Sequence, residues 1–79
     1  MYDHRITGRI IHDLRQKRGM TQEVLSGLAG ISRSHLAEIE TGRVKANVET
    51  LWRISDALGL KLSFLIRMAE DAIEEDASR

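Results

Sequence analysis

The 79-residue sequence predicts an all-α fold, a compact five-helix bundle formed by a single domain over residues 1–79. Three observations predict it. Apolar residues recur at helical spacing in five segments, each bounded by a capping residue or a glycine. No proline interrupts any of them. No alternating strand pattern, low-complexity linker or internal repeat competes with them.

The first helix is expected over residues 5–18. Ile6, Ile10, Ile11 and Leu14 share a face, and "RQKRG" puts cations in the last turn with Gly19 as the stop. The second, 21–29, opens at Thr21, whose hydroxyl can accept from the first turn, and carries Val24, Leu25 and Leu28. The third, 32–41, opens at Ser32 and turns only Leu36 and Ile39 inward before Gly42. The fourth, 47–59, begins at Asn47 and carries Val48, Leu51, Trp52, Ile54 and Leu58. The fifth, 62–75, runs into an acidic end, where "EEDASR" is expected to fray because carboxylates oppose the dipole at a helix C-terminus. Connections this short force consecutive helices to pack directly on one another.

Composition removes several function classes. Without cysteine there is no disulfide and no thiolate metal site, which fits a reducing cytoplasm. No apolar run approaches the roughly 18 residues of a membrane span, and "MYDHRITGRI" has no signal-peptide core. A soluble, cytoplasmic protein is expected. His4, His12 and His35 have no metal-ligand spacing, and "RGMTQEVLSG" lacks the Gly-Lys-Ser/Thr ending of a phosphate loop. We expect no metal, no cofactor and no enzymatic activity. The formal charge of zero hides an asymmetry: residues 1–67 carry +4 and residues 68–79 carry −4. A modestly basic body with an acidic end is compatible with a nucleic-acid partner.

The second and third helices are separated only by "GIS". A turn this tight, with glycine in it, joins two helices at a steep angle and is the geometry of a helix-turn-helix. Gly30 would supply the left-handed backbone, Ile31 would plug the turn, and Leu25, Leu36 and Ile39 would lock the pair. The third helix then has a thin apolar stripe and a broad polar face of Ser34, Ala37, Glu38 and Thr41, flanked by Arg33 and His35.

From Gly8 to Ile66 the sequence resembles the helix-turn-helix of phage Cro and repressor proteins, the XRE-like family, whose fold is the lambda-repressor-like DNA-binding domain. The resemblance rests on "LRQKRGMTQEVL", "AGISRSHLAEIETG" and "NVETLWRISDALGLKLSFL". Gln22, Ser26 and Gly30 hold the family's Gln, small-residue and turn-glycine positions, with Ser26 where Ala is usual and Ala46 where Pro often stands. The resemblance implies a sequence-specific transcriptional regulator of double-stranded DNA whose third helix enters the major groove.

Docked in that way, Arg33 is the candidate for a bidentate contact to guanine N7 and O6, with a phosphate clamp as its other reading. Ser34 reads a base or a phosphate, and Glu38 either accepts from a cytosine amino group or stays solvated. His35 lies off centre and suits a phosphate or water contact. Gln22 would meet phosphate at the start of the second helix. The resemblance adds Arg43 and Lys45 in the loop after the third helix, with Thr41 behind them and Lys17 as a weaker candidate. It also implies a structural ion pair between Arg15 and Glu40 that ties the first helix to the end of the third.

Leu65, Met68, Ala69, Ala72 and Ile73 form a stripe on the fifth helix, while Phe64 and Ile66 point elsewhere. A chain of this size covers both faces with difficulty, so we expect a homodimer through Phe64, Leu65, Met68 and Ile73, with intramolecular burial as the alternative. A dimer predicts a palindromic operator with half-sites about 10 bp apart, read by a repressor or autoregulator. The alternatives are an antitoxin that also binds a protein partner such as a toxin, and a restriction–modification controller protein.

Overall fold

The computed structural model describes residues 1–78. Its five helices are α1 (His4–Lys17), α2 (Gln22–Ala29), α3 (Arg33–Glu40), α4 (Val48–Ala57) and α5 (Leu62–Ala77). Each of the first four begins at a side chain that accepts from an otherwise unpaired amide of the first turn. Asp3 accepts from Arg5, Thr21 from Val24, Ser32 from His35 and Asn47 from Thr50. Each such cap is worth about 1 kcal/mol, and it sets the first residue of its helix. Lys61 has no cap bond, so the start of α5 is fixed by packing.

The core is assembled from one or two residues per helix: Ile11 of α1, Leu25 of α2, Leu36 of α3, Ile54 of α4 and Leu65 of α5 have no measurable exposure. Around them Ile39, Leu51 and Leu58 are also buried, and Ile10, Leu14, Ile31, Val44 and Ile66 pack against the cluster half-covered. Helix α1 crosses α3 so closely that a Cβ added at Gly8 would drive into the Ile39 carbonyl. That approach permits no side chain larger than hydrogen, and it brings α1 backbone against the back of α3.

Two expectations for α5 are corrected. Leu65, assigned to a subunit interface, belongs to the core of its own chain, as does Ala69 one turn on. The helix folds back over α1 and α4, and these two contacts take the inward pair of its stripe. The acidic end, expected to fray, stays helical to Ala77. Its last turns run beside α1, where Ala72, Glu75 and Asp76 share a shallow groove with Ile6, Arg9 and Ile10.

Candidate nucleic-acid interface

Helix α2 ends at Gly30, whose φ of 70° and ψ of 31° are left-handed. The amide of Ile31 reaches back to the Ser26 carbonyl at 3.0 Å and closes the turn. Ser32 then caps α3 at once, so the chain changes direction within three residues. Ile31 lies half-buried against the core. The result is a steep helix-turn-helix locked by Leu25, Leu36 and Ile39.

The back of α3 is Leu36, Ile39 and Glu40, all buried. Its outer face carries Arg33, Ser34, Glu38 and Thr41 exposed, with His35 and Ala37 half-covered at the edges. Beyond it, Arg43 and Lys45 are exposed on the loop to α4 and Lys17 is exposed at the end of α1. Among the described residues, Arg33, Arg43, Lys45 and Lys17 take part in no ion pair. Arg33 lines a shallow groove with Arg15, Thr21, Gln22 and Glu23, so the starts of α2 and α3 open onto one depression.

Behind this face lies a buried polar cluster built on Glu40. Arg15 grips it with two parallel bonds, Nε to Oε2 at 2.8 Å and Nη2 to Oε1 at 3.0 Å. The remaining guanidinium nitrogen of Arg15 donates to the Met20 carbonyl at 2.8 Å, tying in the α1–α2 turn. His12 Nδ1 donates to Glu40 Oε1 at 3.0 Å, and Gln22 Nε2 does so at 3.2 Å. With that proton on His12 Nδ1, the 3.3 Å approach of Arg15 Nη2 to the same nitrogen is donor against donor and contributes nothing. Arg15 and Glu40 are each only 8% exposed. Burial alone would push the Glu40 carboxyl up. The bonds from Arg15, His12 and Gln22, with the Arg15 charge, more than offset this and hold it below its usual range.

Two residues assigned to phosphate are otherwise occupied. Gln22 is half-buried and directs its amide nitrogen at Glu40, which leaves one N–H of that group for an anion. Thr41 donates its only hydroxyl proton to carbonyls of its own helix, Ala37 at 3.0 Å and Glu38 at 3.2 Å, so in this rotamer it offers acceptors alone. His12 belongs to this cluster although the sequence analysis gives it no role. Its spacing three residues before Arg15 on α1, which puts both on one face, was the available signal.

Comparison with known proteins agrees with this geometry. A family model described as "Helix-turn-helix" matches residues 11–65. The immunity repressor protein of Bacillus phage phi105 is 37% identical over 59 residues, covering 75% of this chain and 41% of the repressor. The ImmF control region 10 kDa protein of the same phage is 33% identical over 76 residues, covering 96% of this chain and 83% of its own length. The chain thus spans less than half of the first of these relatives and most of the second. Among solved structures, the restriction-modification controller protein C.AhdI from Aeromonas hydrophila superposes with a TM-score of 0.77 at 26% identity, over 82% of this chain and 98% of that one. The clp gene regulator ClgR from Corynebacterium glutamicum gives 0.87 at 24% identity, over 95% and 80%. With the matched segment running from the middle of α1 into α5 and holding the whole glycine-pivoted pair, the chain belongs to the helix-turn-helix family of Cro and phage-repressor type.

Proposed function

We propose that this DNA-binding transcriptional regulator acts as a twofold dimer, a cytoplasmic, non-enzymatic repressor or autoregulator that reads a palindromic operator with α3. The observation that carries the reading is the division of α3 into a buried back and an outer face whose cation, Arg33, has no partner within the described residues. In a major groove Arg33 faces guanine N7 and O6, Glu38 accepts from a cytosine amino group, and Ser34 serves a base or a phosphate. Arg43, Lys45 and Lys17 lie beyond the two ends of the motif and suit the phosphates, with His35 and the free N–H of Gln22 as lesser contacts.

The dimer reading keeps Phe64, 51% exposed, as its anchor, with the half-covered Met68 one turn on. Leu65 drops out because it is buried within the chain. Ile73 shares a separate groove with Ile66 and Tyr2, so it sits at most on the edge of such a contact. A restriction–modification controller is the second reading. The likeness to C.AhdI, which spans nearly all of that chain, favours it. The relatives described above lend no support to an antitoxin role.

The test is selection of bound duplexes from a random pool, with light scattering on the free protein. The expected result is a palindrome with half-site centres about 10 bp apart and a particle of twice the 8.9 kDa chain mass. No retained duplex even in dilute buffer, or a selected motif indifferent to Arg33→Ala, refutes the reading of α3.

A further inference from the structure

Residues 2–8 converge on the corner where α3 ends. His4 Nε2 donates to the Gly42 carbonyl at 3.0 Å, a contact across 38 residues of sequence. Gly42 has a φ of 78° and lies on the stem of Arg5, so closely that an added Cβ would come within 2.7 Å of Arg5 Cγ. The Arg5 stem is itself held, because its guanidinium pairs with Asp3 at 3.0 Å. Tyr2 donates its hydroxyl to the buried Thr7 at 2.8 Å. That bond fixes the Tyr2 ring beneath Lys45, whose Nζ stands 5.7 Å from the ring centroid, within the range at which a ring face attracts a cation. Between these two contacts runs the connection from Gly42 to Lys45: the amides of Gly42 and Arg43 return to the Ile39 and Glu38 carbonyls at 3.1 and 2.9 Å and Val44 packs half-covered against the core, while Arg43 and Lys45 are exposed.

We infer that His4 and Tyr2 are positioning residues for the DNA backbone contact. They hold the Gly42–Lys45 corner in one arrangement before DNA arrives, so that Arg43 and Lys45 meet the phosphates already ordered. This rests on the reading of Arg43 and Lys45 as phosphate contacts. Its physical basis is that a loop frozen in advance loses little freedom on binding, whereas a loose one loses it at the moment of association. Neither residue needs to touch DNA.

The test uses the full chain and a random-sequence duplex, so no operator need be known. His4→Ala, His4→Gln, Tyr2→Leu, Lys45→Ala and the His4→Ala/Lys45→Ala pair are compared by three measurements: thermal unfolding, amide exchange at residues 42–45 without DNA, and affinity across a salt series. One phosphate contact corresponds to a slope of about 0.9 in log affinity against log salt, or about eightfold at 0.1 M. His4→Ala should accelerate exchange at the corner, lower affinity about five- to tenfold and flatten the slope by about one unit. Glutamine, which presents an N–H at a similar reach, should restore both. Tyr2→Leu leaves the α1 cap intact and should reproduce the loss, so the test survives if His4→Ala does not fold. The paired variant should lose less affinity than the product of the two single losses, because His4 acts in part through Lys45. Multiplying losses in the pair, a loosened corner with unchanged affinity, or an unchanged corner overturns the inference. Failure of the unaltered protein to bind any duplex removes the reading of Arg43 and Lys45 and this inference with it, while the exchange data still report separately whether His4 holds the corner.

Discussion

Removing Glu40 should destabilise this protein more than it alters any contact to DNA. In Glu40→Ala, four hydrogen bonds disappear: two from Arg15, one from His12 and one from Gln22. The bonds themselves are the smaller part. Arg15 is 8% exposed and would remain as a buried cation with no carboxylate partner among the described residues, held by the Met20 carbonyl. Breaking a buried pair in this one-sided way costs about 3–5 kcal/mol. A chain of this length has a total stability of about 4–12 kcal/mol, so the loss is a quarter or more of it. For a domain of this size it corresponds to a fall in Tm of at least 12 °C, at about 4–8 °C per kcal/mol. Urea and thermal unfolding followed by circular dichroism would measure it. Replacing both charges with apolar residues, Arg15→Met with Glu40→Leu, should recover much of the stability, because no charge is then left buried alone. A Glu40→Ala variant that loses less than about 1 kcal/mol, the scale of an exposed pair, would refute the argument. The exposed Arg53–Glu49 pair at 3.2 Å is the internal control.

Acid should act through the same group. The folded-state value of Glu40 lies below its ordinary one, so its contribution to stability is fully present above the usual glutamate pKa of about 4.3 and disappears as pH falls through the depressed value. Unfolding measured from pH 7 to pH 2 should show this loss, and Glu40→Gln should flatten it. Arg33→Ala should reduce discrimination by about 1–3 kcal/mol at one base position, read by selection against a panel of single-base operator variants. A uniform loss across all sequences would reassign it to phosphate. Phe64→Glu should leave the fold intact and halve the scattering mass, because Phe64 is outside the core. Gly8→Ala should cost about 1–3 kcal/mol by overpacking and shift α3, since the added carbon meets backbone and not a yielding side chain. Unchanged amide shifts along α3 would contradict that.

The features most legible in the sequence were local. Thr21, Ser32 and Asn47 cap helices through amides three residues away, and Gly30 marks a turn that few other residues adopt, so these positions define α2, α3 and α4 from short stretches of chain. The outer face of α3 was readable for a related reason, since two apolar residues three apart leave only one side of a helix to bury. What failed to show was which partner each side chain finds across the fold. Leu65 and Ile66 are both apolar neighbours on α5, and only the packing of α5 on α1 and α4 decides that Leu65 goes fully inward. Gln22 and His12 turn to Glu40 from 18 and 28 residues away, a choice made by tertiary proximity. The brace at Gly42 is of the same kind, because His4 and Arg5 read as ordinary first-turn residues until α3 is laid beside them.

Because α3 is secured wholly from behind, by Leu36, Ile39 and Glu40, its outward residues contribute almost nothing to cohesion. Substitutions at exposed positions of this kind usually stay within about ±0.5 kcal/mol. Positions 33, 34 and 38 therefore form a writable surface on an otherwise closed scaffold, and a library confined to them, with proline and glycine left out, would explore new binding preferences while its members kept close to the parent's melting behaviour.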